Sequence, residues 1–214
     1  MQPQANGQQP VYILQQGTEQ TNGSAAQRSN INAAKAVGKT VKSTLGPLGM
    51  DKMLIDPANN ILITNDGVSI LREIGIEHPA AKMIVEVAKT QESRCYDGTT
   101  SAVVLSGALL EEAERLLDKS IHPTTICKGY RFAKVKSLEL LEELVDKCGI
   151  KDKIFDKAFS CAKTSLIGKS AEGIQQHLAM LSANVVRKVE DIEDISIISV
   201  SGTTEEDTYS VSGV

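Results

Sequence analysis

The spacing of apolar residues along the chain predicts a mainly helical protein. In several long stretches, apolar residues recur three and four positions apart, as they do on the buried face of an amphipathic helix. Four of these stretches predict long helices. The first covers residues 24–43, the second begins at residue 79, the third ends near residue 119, and the fourth covers residues 122–146. The predicted buried stripes comprise Ala34, Val37, Val41 and Leu45 in the first helix, Ala80, Ile84, Val87 and Ala88 in the second, and Ala102, Leu105, Leu109, Ala113 and Leu116 in the third.

Capping and helix-breaking residues mark the ends of the first helix. Ser24, with Gln27 three positions later, predicts a capping box at its start. Pro47, within the segment Gly46-Pro47-Leu48-Gly49, predicts its end, because proline cannot continue the helical hydrogen-bond ladder. The first helix is therefore expected to stop before a tight, glycine-containing turn.

Two short β-type runs interrupt the helical pattern. Residues 53–55 and 61–63 are apolar, and the turn-forming residues 56–60 join them, which predicts a hairpin. A short helix at residues 68–73 is expected to follow the hairpin. Residues 11–14 predict a further short strand near the start of the chain.

The pattern changes after Gly149, which indicates a domain boundary near residues 148–151. Two shorter helices are predicted at residues 151–163 and 171–188. The alternation at residues 195–200 predicts a strand, and residues 209–211 predict another. The expected fold class is therefore mainly α with small β elements (α+β).

Composition narrows the functional classes. The chain has 214 residues, of which 41% are hydrophobic, enough for a sizeable core. Its net charge is −4 and no run of Lys or Arg occurs, so a nucleic-acid partner is not expected. The apolar runs are short, so a membrane span is not expected either. Four scattered cysteines without C-x-x-C pairing favour a cytoplasmic protein without a zinc site. The polar, Gln-rich residues 1–10 predict a disordered tail.

The segment at residues 96–101 carries the most informative chemistry, because it lies where the third long helix should begin. The first turn of a helix has free backbone N–H groups and a partial positive charge. Together with three hydroxyls, a glycine and the carboxylate of Asp97, these groups suit Mg²⁺ and phosphate. The alternative is that Asp97 only caps the helix, and from these six residues alone the cap is favoured.

Three other segments could contribute to a site. Residues 163–170 end like a Walker A motif, but the first glycine is replaced by lysine and no strand precedes them, so a P-loop is rejected. The turn Leu45-Gly46-Pro47 could approach a ligand through its backbone, or be a plain helix stop. Asp66 lies in a glycine-containing turn after a strand, a position that active-site acids and ordinary turns share.

Five motifs occur in a fixed order along the chain. They are Thr44-Leu45-Gly46-Pro47-x-Gly49-Met50-Asp51-Lys52-Met53-Leu54, then Ile63-Thr64-Asn65-Asp66-Gly67, Glu77-His78-Pro79-Ala80-Ala81-Lys82-Met83, Asp97-Gly98-Thr99-Thr100, and His122-Pro123-Thr124 with Gly129-Tyr130. In order and spacing they closely resemble the group II chaperonins, the family of the archaeal thermosome and its eukaryotic cytosolic relatives. The resemblance covers residues 11–214 and is strongest over residues 25–130.

The resemblance implies a domain organisation and a set of partners. The family subunit has an equatorial ATP-binding domain, an intermediate domain and an apical substrate-binding domain, and the first two are each built from two chain segments. Residues 11–148 match the first equatorial segment, and residues 149–214 match the first intermediate segment. The implied function is ATP-dependent protein folding in a ring of chaperonin subunits, with unfolded polypeptides as substrates.

The resemblance also implies roles for individual residues, with ATP and Mg²⁺ as cofactors. Asp97 would hold Mg²⁺, and Asp66 would lie at the γ-phosphate and assist hydrolysis. Lys169 would lie on a nucleotide-sensing loop. The remaining implied nucleotide-binding residues are Leu45, Gly46, Pro47, Gly98, Thr99, Thr100 and Ser101.

Two residues depart from the family pattern in ways that could weaken ATP binding. Tyr96 replaces the first glycine of the usual Gly-Asp-Gly-Thr-Thr, where a tyrosine would strain a positive φ or crowd the nucleotide. Leu48 replaces a usual lysine and removes a cation near the phosphates.

The length of the chain is a further departure, because the apical domain and both C-terminal segments of the family lie beyond residue 214. The expectation is an incomplete subunit: a fragment, a truncated gene product or a degenerate paralogue. Three functions stay open, namely a folding-chaperone subunit that binds nucleotide weakly, a non-catalytic assembly or regulatory partner of full-length subunits, and a small ATP-binding module.

Overall fold

The computed structural model describes residues 20–148, 153–202 and 204–213. Over these residues the fold is mainly helical with one small antiparallel sheet, which confirms the predicted fold class. The elements, in chain order, are α1 (Gly23–Lys42), β1 (Lys52–Ile55), β2 (Ile61–Thr64), α2 (Gly67–Glu73), α3 (Pro79–Cys95), α4 (Thr99–Asp118), α5 (Pro123–Lys147), α6 (Ile154–Ser165) and α7 (Gln175–Val186). Short 3₁₀ turns lie at Ser170–Ile174, Ile192–Asp194 and Glu205–Asp207.

The core forms where α1, α3 and α4 pack on one another and on the short helix α2. Aliphatic side chains fill it, as the scarcity of aromatic residues requires, since only 3% of the chain is aromatic. The buried cluster comprises Ala34, Val37, Val41, Val68, Ile70, Leu71, Ala81, Ile84, Val85, Ala88 and Val103. Each of the four helices therefore contributes a face to one shared core.

The backbones of α1 and α4 approach closely at a pair of glycines. A Cβ placed on Gly38 would lie 3.4 Å from the Cα of Gly107 and 3.5 Å from the carbonyl oxygen of Val103. Glycine is unfavourable in a helix interior by about 1 kcal/mol relative to alanine. A Cβ would fit at either position at ordinary contact distance, but a larger side chain would not, so the short distance between the helices requires small residues here.

An ion pair crosses the same helix–helix contact. The Nζ of Lys35 lies 2.5 Å from the Oε2 of Glu114, and both side chains are largely shielded from solvent. The hydrogen bond from Lys35 lowers the pKa of Glu114 below its ordinary value. Because the folded state binds its proton less readily, this pair stabilises the fold above the ordinary carboxyl pKa and less so as the pH falls through the lowered value.

The predicted hairpin is confirmed. Strands β1 and β2 pair antiparallel, with Met53 opposite Ile63. In the turn between them, the side chain of Asp56 accepts hydrogen bonds from the backbone and side-chain amides of Asn60, at 2.8 Å and 2.7 Å. These bonds lower the pKa of Asp56. Asn59 adopts a φ of 68°, a conformation that asparagine tolerates well in turns.

The four long predicted helices are present as α1, α3, α4 and α5, and the short one is α2. The predicted capping box at Ser24 and Gln27 is wrong, because α1 begins one residue earlier and its N-cap, Asn22, makes no side-chain capping bond. The predicted end near residue 43 is confirmed to within one residue, because α1 ends at Lys42, ahead of the turn that contains Pro47. Backbone N–H groups of the following turn donate hydrogen bonds to the last carbonyl groups of α1.

Two predicted stripes match the buried faces only in part, because Ile84 and Ala88 on α3 and Ala113 on α4 are buried but other members are not. On α4, Leu105 and Leu109 are 60% and 42% exposed, whereas Val103 is buried. On α3, Val87 is exposed and Val85 is buried. Both helices carry apolar residues around much of their circumference, so spacing alone did not identify the face that meets α1.

Helix α5 lies largely outside the core. Of its residues only Ile126, near its start, is buried, and its later apolar side chains face solvent. The exposed apolar side chains of α5 are Phe132, Val135, Leu138, Leu140, Leu141, Leu144 and Val145. Among the described residues, no helix combines the length and apolar content that a membrane span would need.

The chain after α5 is confirmed as two shorter helices, α6 and α7, which pack on each other. The predicted strands at residues 195–200 and 209–211 are wrong, because neither segment is a strand in the structure. Their apolar side chains are mostly exposed, with Ile197 at 93% and Val211 at 80%. Alternation in sequence does not form a strand where no neighbouring strand supplies hydrogen bonds. The predicted strand at residues 11–14 and the tail at 1–10 lie outside the described residues.

The glycine contact between α1 and α4 yields a stability prediction. Gly38→Leu should destabilise the protein by about 1–3 kcal/mol, because a branched side chain would press into the α4 backbone. Gly38→Ala is the matched control, since its Cβ meets only ordinary contact distances, and it should leave stability unchanged or raise it by up to about 1 kcal/mol. Urea unfolding followed by circular dichroism measures both. Equal stabilities of the leucine and alanine variants would contradict the close approach.

Candidate functional site

The start of α4 is an uncapped helix N-terminus. Its N-cap is Gly98, which has a φ of 77° and has no side chain to cap the helix. The first hydrogen bond of the helix runs from the N–H of Ala102 to the carbonyl of Gly98. Among the described residues, no group accepts a hydrogen bond from the N–H groups of Thr99, Thr100 and Ser101. The interpretation of Asp97 as the helix cap is therefore wrong.

Asp66 joins the hairpin to this helix start. It caps α2, where its Oδ2 accepts from the N–H and the hydroxyl of Ser69, both at 2.8 Å. Its Oδ1 accepts from the hydroxyl of Thr99 at 3.3 Å. Thr99 is buried, so this bond lies under the first turn of α4. One carboxylate thus holds the beginnings of two helices together.

Gly67 brings the same two helices into backbone contact. A Cβ on Gly67 would lie 2.6 Å from the hydroxyl oxygen of Thr100, 3.1 Å from its Cα and 3.2 Å from its N atom. Such distances leave room for hydrogen alone. The glycine therefore sets how close the Asp66 turn lies to the start of α4.

The segment at residues 44–49 forms a compact turn after α1. Gly46 has a φ of 86°, which favours glycine, and its carbonyl accepts from the N–H of Gly49 at 2.9 Å. A Cβ on Gly49 would collide with the carbonyl oxygen of Thr44 at 2.3 Å. Leu45, Gly46 and Pro47 are exposed.

The loop before Lys169 reaches this turn from the later part of the chain. A Cβ on Gly168 would lie 3.1 Å from the carbonyl oxygen of Pro47, and Gly168 has a φ of 74°. The carbonyl of Gly168 accepts a hydrogen bond from the Nδ2 of Asn65 at 3.0 Å. Its N–H donates to the Oε2 of Glu172 at 3.1 Å. Residues 168 and 47 are therefore neighbours despite their separation in sequence.

These contacts link all four segments in which the sequence predicts site residues. Pro47 touches Gly168, Gly168 is bonded to Asn65, and the next residue, Asp66, is bonded to Thr99 at the start of α4. The contacts thus form a connected series that runs from the turn at 45–47 through the loop before Lys169 and through Asn65 and Asp66 to the start of α4.

The charged groups of the cluster remain available to solvent. The side chains of Asp97 and Lys169 are exposed, and neither has a hydrogen bond or ion pair with another described residue. Within the described part of the chain, no group of three or more histidine, cysteine or acidic side chains could hold a metal without other ligands. Any cation here would need ligands from water or from a bound molecule.

Tyr96 has a positive φ, the conformation in which a tyrosine at this position is expected to be strained. It ends α3 with a φ of 56°, and its ring is 67% exposed. The Nε2 of Gln91 donates to the carbonyl of Asp97 at 2.9 Å and so holds the turn between α3 and α4. The side chain of Leu48, the other departure, is 94% exposed.

The sequence does not predict roles for Asn65, Gln91 or Ser69. Asn65 stands beside Asp66 within a quoted motif, so its place in the chain was a usable signal. Gln91 is one of several polar residues on α3, and nothing in its spacing distinguishes it. Contacts of this kind depend on how α3 meets α4.

Comparison with known proteins identifies the family. The model of the TCP-1/cpn60 chaperonin family matches residues 37–214. The chain belongs to the TCP-1/cpn60 chaperonins. The resemblance to the group II members is thereby confirmed, because the similar curated proteins are thermosome subunits.

Three of these relatives show how far the likeness extends. The chain is 46% identical to thermosome subunit alpha of Methanothermobacter thermautotrophicus over 98% of its own length and 39% of the relative's. It is 52% identical to thermosome subunit beta of Archaeoglobus fulgidus over 85% of its length and 33% of the relative's. It is 50% identical to the thermosome subunit of Methanopyrus kandleri over 88% of its own length and 34% of the relative's. The chaperonin chain thus spans less than two-fifths of the length of these relatives.

The Gly67 contact can be tested by adding one methyl group. Gly67→Ala should lower the free energy of unfolding by about 1–3 kcal/mol, because the start of α4 must move away from Asp66. Gly75→Ala is a suitable control, since nothing lies within 4 Å of its added Cβ. Urea titration of both variants measures the difference. A Gly67→Ala protein as stable as the Gly75→Ala protein would contradict the contact.

The conformation of Tyr96 predicts that glycine is the better residue there. A left-handed conformation costs a non-glycine residue about 1–2 kcal/mol, and the greater freedom of unfolded glycine offsets part of the gain. Tyr96→Gly should therefore raise the free energy of unfolding by about 0.5–1 kcal/mol. Tyr96→Ala removes the ring but keeps the Cβ, so it should show no such gain. Equal effects of the two substitutions would assign the change to the ring instead of the backbone.

Proposed function

We propose that the clustered segments bind Mg-ATP, and that the chain is the nucleotide-binding portion of an ATP-dependent, thermosome-type folding chaperonin subunit. The observation that carries this proposal is the uncapped N-terminus of α4, which is bonded to Asp66 and is linked through Asn65 and Gly168 to the turn at residues 45–47. A helix N-terminus with free N–H groups and a positive partial charge is suited to phosphate. Family membership supports the same conclusion.

The groups around the start of α4 fit a polyphosphate. The N–H groups of Thr99, Thr100 and Ser101 have no acceptor among the described residues, and the hydroxyls of Thr100 and Ser101 add further donors. Gly98 and Gly46 present backbone without a Cβ and have positive φ values, which permits close approach. Residues 45–47, which are exposed, would contact the nucleotide.

Asp97 and Lys169 are the charged residues proposed to bind Mg²⁺ and phosphate. The free carboxylate of Asp97 would hold Mg²⁺, which accepts one or two carboxylates together with phosphate oxygens and water. The exposed ammonium group of Lys169 would neutralise phosphate charge from the opposite segment. When bound, Mg²⁺ supplies charge neutralisation and orientation of the phosphates for transfer to water.

Asp66 is the proposed catalytic residue. Ser69 donates two hydrogen bonds to its Oδ2, which fixes the plane of the carboxylate. Its Oδ1 has only the longer bond from Thr99 and retains capacity to accept from a water molecule. Asp66 would thus orient a water and receive its proton at Oδ1.

The wider biology follows from the family and stays part of the proposal. Residues 11–148 would belong to an equatorial ATP-binding domain, and residues 149–214 to the first segment of an intermediate domain. The partners would be other chaperonin subunits in a ring and unfolded polypeptides, in the cytoplasm. Neither nucleic acid nor membrane is a proposed partner.

A second function is favoured by the two departures from the family pattern. Tyr96 is strained beside the proposed metal ligand, and Leu48 leaves the exposed turn without the family's cation. Both changes favour weak nucleotide binding, and with it a non-catalytic assembly or regulatory partner of full-length subunits. A small ATP-binding module without folding activity is the third possibility.

Titration calorimetry with Mg-ATP separates these functions. The 214-residue chain should bind Mg-ATP, and Asp97→Asn should weaken binding by about tenfold or more, because the amide carries no charge for Mg²⁺. Asp146→Asn, at an exposed position on α5, is the matched control and should bind as the unaltered chain does. Removing Mg²⁺ should erase the difference between the unaltered chain and Asp97→Asn.

Failure to detect binding by the unaltered chain would overturn the nucleotide function and favour the assembly role. Equal binding by Asp97→Asn and Asp146→Asn would instead remove Asp97 as the metal ligand.

A further inference from the structure

Asn65 is the side chain that ties the Lys169 loop to the rest of the candidate site. Its Nδ2 donates to the carbonyl of Gly168 at 3.0 Å, across 103 positions of sequence. The neighbouring Asp66 is at the same time bonded to Thr99. A single turn therefore holds the start of α4 with one residue and the Lys169 loop with the next.

The loop has few other attachments to the first part of the chain. Helices α6 and α7 pack on each other, and within the described residues neither packs extensively on α1 to α5. The backbone of Gly168 touches Pro47, but this contact involves no hydrogen bond among the described residues. The Asn65 amide is thus the directional contact between the loop and the site.

The hydrogen bond from Asn65 to Gly168 also restrains the backbone of Lys169. The carbonyl of Gly168 belongs to the peptide that links it to Lys169, so holding that oxygen fixes the peptide plane. On the other side, the carbonyl of Lys169 accepts from the N–H of Glu172 at 2.9 Å. The backbone of Lys169 is therefore restrained on both sides, while its side chain stays exposed.

We propose that Asn65 is a positioning residue, which holds the Lys169 loop against the nucleotide site so that the ammonium group of Lys169 reaches the phosphates. The role of Lys169 toward phosphates rests on the proposed function, whereas the restraint of the loop by Asn65 does not. Asn65 touches neither reactant in this proposal and acts through Lys169.

The chemistry of the side chain explains why asparagine suits the position. Only an N–H donor can pair with the carbonyl of Gly168. Aspartate has almost the same shape but would place an oxygen against that carbonyl, so Asn65→Asp should release the loop without creating a cavity. Asn65→Ala removes the donor without adding charge and serves as the second variant.

The first experiment needs no nucleotide. Trypsin cleaves after exposed lysines, and loss of one hydrogen bond should raise the rate of cleavage after Lys169 by about fivefold in Asn65→Asp. Cleavage after Lys119, exposed at the far end of α4, is the internal reference and should not change. Asn30→Asp, at an exposed position on α1, is the matched control.

Three results of the digestion would overturn the restraint. They are an unchanged rate at Lys169 in both Asn65 variants, an equal rise at Lys119, and an equal rise in Asn30→Asp. A selective rise at Lys169 in Asn65→Asp and Asn65→Ala would support it.

The second experiment measures whether Asn65 acts through Lys169. Mg-ATP affinity is compared for the unaltered chain, Asn65→Asp, Lys169→Ala and the double variant. Each single variant should bind several-fold more weakly, and the double variant should bind no more weakly than Lys169→Ala, because a released loop cannot matter once its charge is gone. Independent losses that multiply in the double variant would overturn the positioning role.

The two experiments also separate this inference from the proposed function. If the unaltered chain does not bind Mg-ATP, the nucleotide function fails, and with it the role of Lys169 toward phosphates. The restraint of the loop by Asn65 is then decided by the digestion alone.

Discussion

The close backbone contact between α1 and α4 is the constraint on which the rest of the structure depends. Gly38 and Gly107 allow the two helices to meet with almost no side chain between them, and the Lys35–Glu114 pair crosses the same contact. Since α1 leads into the turn at residues 44–49 and α4 begins at Thr99, their packing brings both ends to one side of the core. The proposed site therefore follows from a helix crossing that lies away from it.

Small residues recur wherever this arrangement brings backbone against backbone. Gly67 meets Thr100, Gly49 meets the carbonyl of Thr44, and Gly168 meets Pro47. In each place a Cβ would lie closer to backbone atoms than ordinary packing allows. The site is built mainly of backbone, and its polar side chains, Asp66 above all, connect segments that glycine has already brought near.

The sequence predicted the elements of this fold better than their relative rotation. Helix-period spacing located α1, α3, α4 and α5, since long amphipathic stretches have few other stable forms. It failed on the buried face of α4, because Leu105 and Val103 are equally apolar and only the position of α1 decides between them. The motifs likewise indicated Asp66, whereas the bond from Gln91 to Asp97 depends on how α3 meets α4.

The Asn65–Gly168 contact has a thermodynamic consequence for any ligand at this site. A loop held by one hydrogen bond opens readily, and a ligand that contacts Lys169 would bind the closed form better than the open one. Binding would then favour closure, and closure would raise affinity by the same factor, because linkage is reciprocal. Helices α6 and α7 adjoin the loop and pack mainly on each other. A bound ligand that orders the loop would therefore also restrict the position of these two helices relative to the core.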